Sequence, residues 1–440
     1  MDKRIVLIGA GSAVFGPVTV NDINSSKVLP GATIVLHDIN KEKLDMIYAL
    51  IVENNKKIGY KFKIEQTTDR AKALKDADFV ICSIEKGDRF KLRWQDNSIP
   101  RKLGSTEMMA ENGGPGGFFH SARQIPEIIK IGKDVEKICP NAFFINFSNP
   151  VSRICLAIKR VFPNLKFVGL CHQIGLLTPH LPRMLNKNLE DLQITTGGLN
   201  HFAFLLGLKD LKNGKDLLPE FNTKCMDYFK DKWDRFHFAD LTFEVYKRFG
   251  YFPYVGDNHL CEYLQFSSDY VTIEDIRDWI TKMEQTGKAI NGMVTYYYRK
   301  LQKGKKFKRS MLFELPSGER AIPIIESILK DKNSYEIAVN IPNDGIITNL
   351  PQNLVIECSA IVNKDGIHGV KLGEIPKNIA VLLRIEASIQ DLCVEAILKE
   401  SKDLAIACLA ADVNCGSFEM AESIFKKMTE IQKEYLPNFK

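Results

Sequence analysis

The segment from Lys3 to Asp38 constrains the fold more than any other. Lys3-Arg-Ile-Val-Leu-Ile-Gly9 is short, apolar and β-branched, the pattern of a buried parallel strand. It runs directly into Gly9-Ala-Gly11-Ser12 and then a helix-like segment. Glycines there permit a tight turn and let the backbone approach a pyrophosphate at a helix N-terminus. Val14 stands where a third fingerprint glycine would pack the helix on the strand. A second apolar run, Thr33-Ile-Val-Leu-His-Asp38, ends in an acid. A carboxylate at that strand end accepts from ribose hydroxyls and repels a 2′-phosphate, so NAD is expected rather than NADP. Gly9, Gly11, Ser12 and Asp38 are the candidate cofactor contacts.

Strand and helix patterns alternate to about residue 170. Strands are expected at Ile5–Ile8, Ile34–His37, Phe79–Ile84, Ala142–Phe147 and Phe167–Leu170, with helices between them such as Lys41–Lys57 and Ser121–Lys137. This is an α/β, Rossmann-like, doubly wound parallel sheet, whose ligands sit beyond the carboxyl ends of the strands. Gly9, Asp38, Ser83-Ile-Glu85, Asn146–Pro150 and Cys171 all follow such ends. From about residue 190 the pattern changes to mixed strands, Ile194–Leu206 and Ile337–Asn349, with long amphipathic segments, Ile276–Leu301 and Pro376–Cys408. Two domains are expected: a cofactor domain over 1–190 and an α+β substrate and metal domain over 191–440.

Composition is that of a globular protein, 45% hydrophobic and 26% charged. No apolar run approaches the roughly 18 residues a membrane span needs, and Met-Asp-Lys-Arg leads straight into a strand, so a cytoplasmic protein is expected. The ten cysteines show no framework spacing; Cys82, Cys155, Cys358 and Cys393 lie in apolar segments, which fits reduced thiols. The net charge of +6 is spread out and implies no nucleic-acid partner. The basic run Lys303–Arg309 reads as a solvated loop before an anion patch.

Cys171 and His201 each sit in a short loop after an apolar run, outside any CxxC or HxxH cluster. Scattered thiolate and imidazole ligands leave coordination positions open, as a catalytic transition metal requires. His172 beside Cys171 is suited to proton transfer near neutral pH, or is structural. Asn149, before Pro150, either presents its amide to ribose, nicotinamide or substrate or makes a plain turn. In Gly250–Glu262, Asp257 is a candidate base with Tyr254 its rival, and His259 a metal or substrate contact; a decorated surface turn is the alternative. Glu111-Asn-Gly-Gly-Pro-Gly-Gly117 opens a helix carrying Arg123, as a ligand cradle or a lid. Arg89 and Arg93 can meet a negatively charged substrate group or stay in solvent.

Together these stretches resemble glycoside hydrolase family 4, the NAD- and metal-dependent glycosidases. The residues that carry the resemblance are Gly9–Ser12, Gly113–Gly117, Asn146–Pro150, Cys171-His172, Gly198–His201, Gly256-Asp257 and Asn340–Gly345 with Asn349–Pro351. It implies hydrolysis by NAD-dependent oxidation at C3 of a sugar, deprotonation at C2, elimination, water addition and re-reduction. It further implies Mn²⁺ or another divalent metal on Cys171 and His201, His172 as acid at the leaving group, Asp257 as C2 base, and Asn149, Asn200, Arg89, Glu111 and His259 around the substrate. Assembly as a homodimer or homotetramer is implied as well. Cys171-His172 resembles the branch acting on unphosphorylated α-glycosides, and Gly256–Glu262 its α-galacturonidases, so an α-uronide is expected first. Glu111-Asn112 is closer to the 6-phosphoglycosidase pattern. A dehydrogenase of the lactate/malate type, whose overall plan is alike, is the alternative activity, and an NAD-binding regulator a third.

Overall fold

The computed structural model describes residues 2–59, 61–230, 237–305 and 317–440. Among the described residues, eleven strands form one sheet: β1 Arg4–Ile8, β2 Thr33–His37, β3 Lys63–Thr67, β4 Phe79–Cys82, β5 Phe143–Asn146, β6 Phe167–Gly169, β7 Leu192–Leu199, β8 Phe202–Asp210, β9 Ser334–Pro342, β10 Val355–Asn363 and β11 Gly366–Gly369. Their order is β3-β2-β1-β4-β5-β6-β9-β10-β7-β8, with β11 on β10. The first six are parallel. They are the doubly wound half, and the apolar runs that identify β1, β2, β4 and β5 are buried almost throughout. β3 escapes a hydrophobic pattern search because Lys-Ile-Glu-Gln-Thr forms a half-exposed sheet edge.

The second half continues this sheet in antiparallel fashion. β9 joins β6 through Gly169 opposite Asn340, β10 pairs with β9, and β7 with β10. One row thus crosses four strands: Gly169, Asn340, Glu357, Gly198. The expected strand Ile194–Leu206 is a hairpin of β7 and β8 that turns at Asn200-His201. The expected strand Ile337–Asn349 starts earlier and stops at Pro342. Pro376–Cys408 is two helices, Lys377–Leu398 and Lys402–Ala411, separated at Glu400, which has φ 51°. Lys41–Lys57 is helical as expected, Ser121–Lys137 lies within the helix Gly114–Ile138, and Ile276–Leu301 within Ile273–Gln302. Most of the run Lys303–Arg309 lies outside the described residues. Among the described residues no helix is long and apolar enough to cross a membrane.

Candidate active site

At the cofactor end, the β1 turn is built around glycines. Gly9 has φ +90°, and a Cβ there would stand 2.0 Å from the Ser83 carbonyl oxygen. The backbone N–H groups of Gly9 and Ala10 both donate to the His37 carbonyl, locking the turn to β2. Asp38 Oδ2 accepts from the Gly11 N–H at 2.9 Å, and its Oδ1 from Asn40 N–H at 2.8 Å. The close helix–strand packing usually supplied by the third glycine comes from Gly16, whose Cβ would lie 2.3 Å from the Ala10 carbonyl oxygen. Val14, at the fingerprint position, is half exposed. The displaced glycine was visible in the sequence but lies outside the motif's spacing.

The row Gly169, Asn340, Glu357, Gly198 brings the metal-site candidates together. Cys171 follows the end of β6, and Asn200-His201 forms the tip of the β7–β8 hairpin. Cys171 Sγ lies 3.1 Å from His201 Nε2. His201 has φ 136°, a strained conformation for a residue with a side chain. Burial, followed by the nearby His259, pushes the His201 imidazole well below its usual pKa; burial likewise pushes the Cys171 thiol up. A divalent cation would reverse the effect on Cys171 by binding its thiolate and reinforce the effect on His201 by binding the neutral imidazole.

The donor set fits such a cation. Asn112 Nδ2 lies 2.8 Å from His201 Nδ1, while Asn112 Oδ1 is buried without a hydrogen-bond partner among the described residues. Turning that amide over lets Oδ1 accept the His201 Nδ1–H, which leaves the Nε2 lone pair for a metal. Asn200 Oδ1 is also buried and unpartnered, and Asn200 Nδ2 donates to Glu357 Oε2 at 2.8 Å.

Glu111, Arg93, Arg89, His259 and Asn149 converge beside this pair. Arg93 is ion-paired with Glu111 Oε1, and Arg89 lies 3.7 Å from the same oxygen. Asn149 Nδ2 is 3.5 Å from Glu111 Oε1, and His259 Nε2 is 3.8 Å from Glu111 Oε2. Burial alone would raise the Glu111 carboxyl, but Arg93, His259 and Arg89 outweigh it and hold it far below the usual range. His259 Nδ1 lies 2.7 Å from Glu262 Oε1. Donor atoms of His201, His259 and Glu262 fall within 4.8 Å of one another.

Three placements differ from the sequence expectation. Asp257 is close in sequence to the cluster, but its carboxylate faces the helix Asp240–Phe249. Oδ1 accepts from the N–H groups of Ala239 and Thr242 and the Thr242 hydroxyl, and Oδ2 from Leu241 N–H. It caps a helix start, and burial pushes its pKa up to about 6 despite those bonds. Tyr254, its rival, donates its hydroxyl to Glu357 Oε1 at 2.5 Å. Burial and the neighbouring Glu357 push that phenol well above its ordinary value. The glycine cluster Gly113–Gly117 is buried, and Glu107 Oε2 accepts the Gly116 N–H at 2.8 Å at the helix start.

His172 lies in the rim, its side chain 74% exposed, with Nδ1 3.2 Å from Glu319 Oε1. The Glu319 hydrogen bond raises the imidazole pKa. Glu319, Glu262 and Glu357 escaped sequence reasoning. Glu357 had a signal, a lone carboxylate inside the apolar run Leu354–Val362.

Comparison with known proteins identifies the family and the fold. The model of the family 4 glycosyl hydrolases matches residues 4–187, and that of the C-terminal domain of the same family matches 196–415. An alpha-glucosidase of Erwinia rhapontici is 38% identical, covering 94% of each chain. An alpha-galacturonidase of Thermoanaerobacter italicus is 28% identical over 98% of this chain and 97% of its own. Among solved structures, a 6-phospho-alpha-glucosidase from gut microorganisms, in complex with NAD and Mn²⁺, superposes with a TM-score of 0.82 at 23% identity, covering 100% of both chains.

Proposed function

The chain belongs to family 4 of the glycosyl hydrolases, and from that premise we propose that it hydrolyses an unphosphorylated α-hexoside, an α-glucoside first, with NAD and Mn²⁺. The observation that carries the choice of sugar is the Arg93–Glu111 ion pair, both side chains 4% exposed. Glu111 cancels the arginine that a uronide carboxylate would need, and it places carboxylate oxygens where neutral sugar hydroxyls can donate. The 38% identity to an alpha-glucosidase supports the same sugar.

The residues divide the work. Gly9, Gly11 and Ser12 shape the turn that receives a pyrophosphate, and Asp38 presents a carboxylate to the adenosine ribose. Cys171 and His201 would hold the metal, with Asn112 fixing the His201 tautomer. Bound together, the two groups supply a hydride acceptor and a Lewis acid for a carbon bearing a hydroxyl. Asn200, turned by Glu357, and Asn149, turned toward Glu111, offer amide groups to sugar hydroxyls. His172 at the rim, held by Glu319, can deliver a proton to the departing alcohol.

A second reading, an α-uronide, is favoured by Arg89. Its side chain is 44% exposed, and it shares Glu111 with a closer arginine, so one positive charge remains at the rim. A panel of 4-nitrophenyl α-glucoside, α-galactoside, α-galacturonide and 6-phospho-α-glucoside, assayed with NAD, Mn²⁺ and thiol, tests the choice. The α-glucoside should give the highest kcat/KM. A preference for the 6-phosphosugar overturns the assignment, and a preference for the galacturonide moves it to the second reading.

A further inference from the structure

Beside the polar cluster stands an aromatic wall that the chemistry above does not use. We propose that Trp279, with Met283 and Phe90, is the platform on which the leaving group of the substrate stacks, and that this leaving group is a second sugar ring. This rests on the glycosidase reading above and adds a site for what lies beyond the scissile bond.

The wall belongs to the helix Ile273–Gln302. A capping box fixes its start: Thr272 Oγ1 accepts the Asp275 N–H at 3.2 Å, and Asp275 Oδ2 accepts the Thr272 N–H at 3.4 Å. Ile276 and Ile280 bury the first turns in the core. The helix then leaves the core while its face stays apolar. Trp279 is half-buried, and Met283 is 37% exposed. Trp279, Met283 and Gly287 follow one another at four-residue spacing, each step about 6 Å along the axis.

The helix Arg89–Lys102 stands opposite. Arg93, paired with Glu111, brings its Cζ to 5.8 Å from the Trp279 ring centroid, within cation–π range. One turn earlier, the half-buried Phe90 faces Gly287, where a Cβ would stand 3.6 Å from the ring. Arg89 lies over that ring, its Cζ 5.9 Å from the Phe90 centroid. Two helices thus carry one apolar strip, with Trp279 at the Glu111 end and Phe90 at the other.

The order of the rings identifies the occupant. His259 packs on His201 at 4.7 Å between centroids, and edge-on to Trp279 at 5.7 Å. Trp279 therefore lies one imidazole away from the Cys171–His201 pair. The reacting sugar has to keep C2 and C3 at that pair. C1 adjoins C2, so the group that C1 carries extends toward Trp279 and along the strip. Axial C–H groups make one face of a pyranose apolar, and such hydrogens suit the electron-rich face of an indole. The long, flexible Met283 side chain fits rings of different outline.

The test uses holoenzyme with NAD and Mn²⁺ on three α-glucosides that share the reacting sugar: methyl α-glucoside, 4-nitrophenyl α-glucoside and maltose. Bound Mn²⁺, kcat and KM are measured for wild type, Trp279→Ala, Trp279→Phe and Met283→Ala. Trp279→Ala should lower kcat/KM on the two ring-bearing substrates about tenfold more than on the methyl glucoside, chiefly through KM. Trp279→Phe, which keeps a ring, should recover most of that difference. Met283→Ala, farther from Arg93 and His259, should show the same selectivity at a few-fold. An equal loss on all three substrates overturns the proposal, because Trp279 would then only support Arg93 and His259. Unchanged selectivity in both Trp279→Ala and Met283→Ala overturns it as well. A wild type that turns over an α-galacturonide and no α-glucoside removes the choice of sugar, a separate outcome. Methyl and 4-nitrophenyl α-galacturonides then decide the platform by the same comparison.

Discussion

Substituting Asp257 by Asn separates a structural carboxylate from a catalytic one. Asn keeps an oxygen at the Oδ1 position, where Ala239 N–H, Thr242 N–H and the Thr242 hydroxyl converge. It places an NH₂ against the Leu241 N–H, which donates to Oδ2 at 2.9 Å. One buried donor loses its acceptor, at about 1–3 kcal/mol. The pH dependence opposes this cost. The folded Asp257 carboxyl is raised by burial to about 6, above its unfolded value. A carboxyl raised on folding binds its proton more tightly in the native state, so its stabilisation is present at low pH and lost as pH rises through about 6. Between pH 5 and pH 8 wild type should lose roughly 1.4 kcal/mol from this group, a loss the Asn variant escapes. The variant's deficit in urea unfolding should therefore be larger at pH 5 than at pH 8 by about that amount. Its kcat, measured on folded protein, should fall less than tenfold. A variant as stable as wild type at both pH values but slower by a factor of about 100 or more would show that Asp257 works in the chemistry, and the capping argument would be wrong.

Further outcomes follow from the same geometry. Cys171→Ser should weaken Mn²⁺ binding at least tenfold while NAD affinity, measured by calorimetry, stays within a factor of about two, because the two sites use different strand ends. Asp38→Ala should cost about 1–3 kcal/mol of NAD binding and narrow the preference over NADP, read by titration with each cofactor. Gly16→Ala puts a Cβ 2.3 Å from the Ala10 carbonyl oxygen. It should destabilise the fold by about 1–3 kcal/mol in urea unfolding without changing Mn²⁺ content.

The cofactor half was legible because a buried parallel strand has a one-dimensional signature. β1, β2, β4 and β5 are apolar through their length, and the functional groups sit immediately after them. Cys171 and His201 could be picked out as residues but not as neighbours. Their contact depends on β9 joining β6 through Gly169 and Asn340, a pairing between segments far apart in the chain. The hairpin tip at Asn200-His201 lay within Ile194–Leu206, a segment that reads as one strand. Asp257 shows the opposite difficulty. Its position beside His259 and Glu262 looks catalytic in sequence, but a short helical turn directs its carboxylate away to Thr242. Glu262 could not have been chosen, because what distinguishes it is three backbone N–H groups from a distant loop.

Cofactor dependence tests the central claim most directly. The enzyme is stripped of NAD and metal, then assayed on 4-nitrophenyl α-glucoside with NAD, Mn²⁺, both or neither, while nitrophenol and NADH are followed together. The account predicts turnover only when both are present, with many nitrophenols released per NAD and no net NADH. Full hydrolysis in chelator without NAD, or one NADH formed for each substrate consumed, would contradict it.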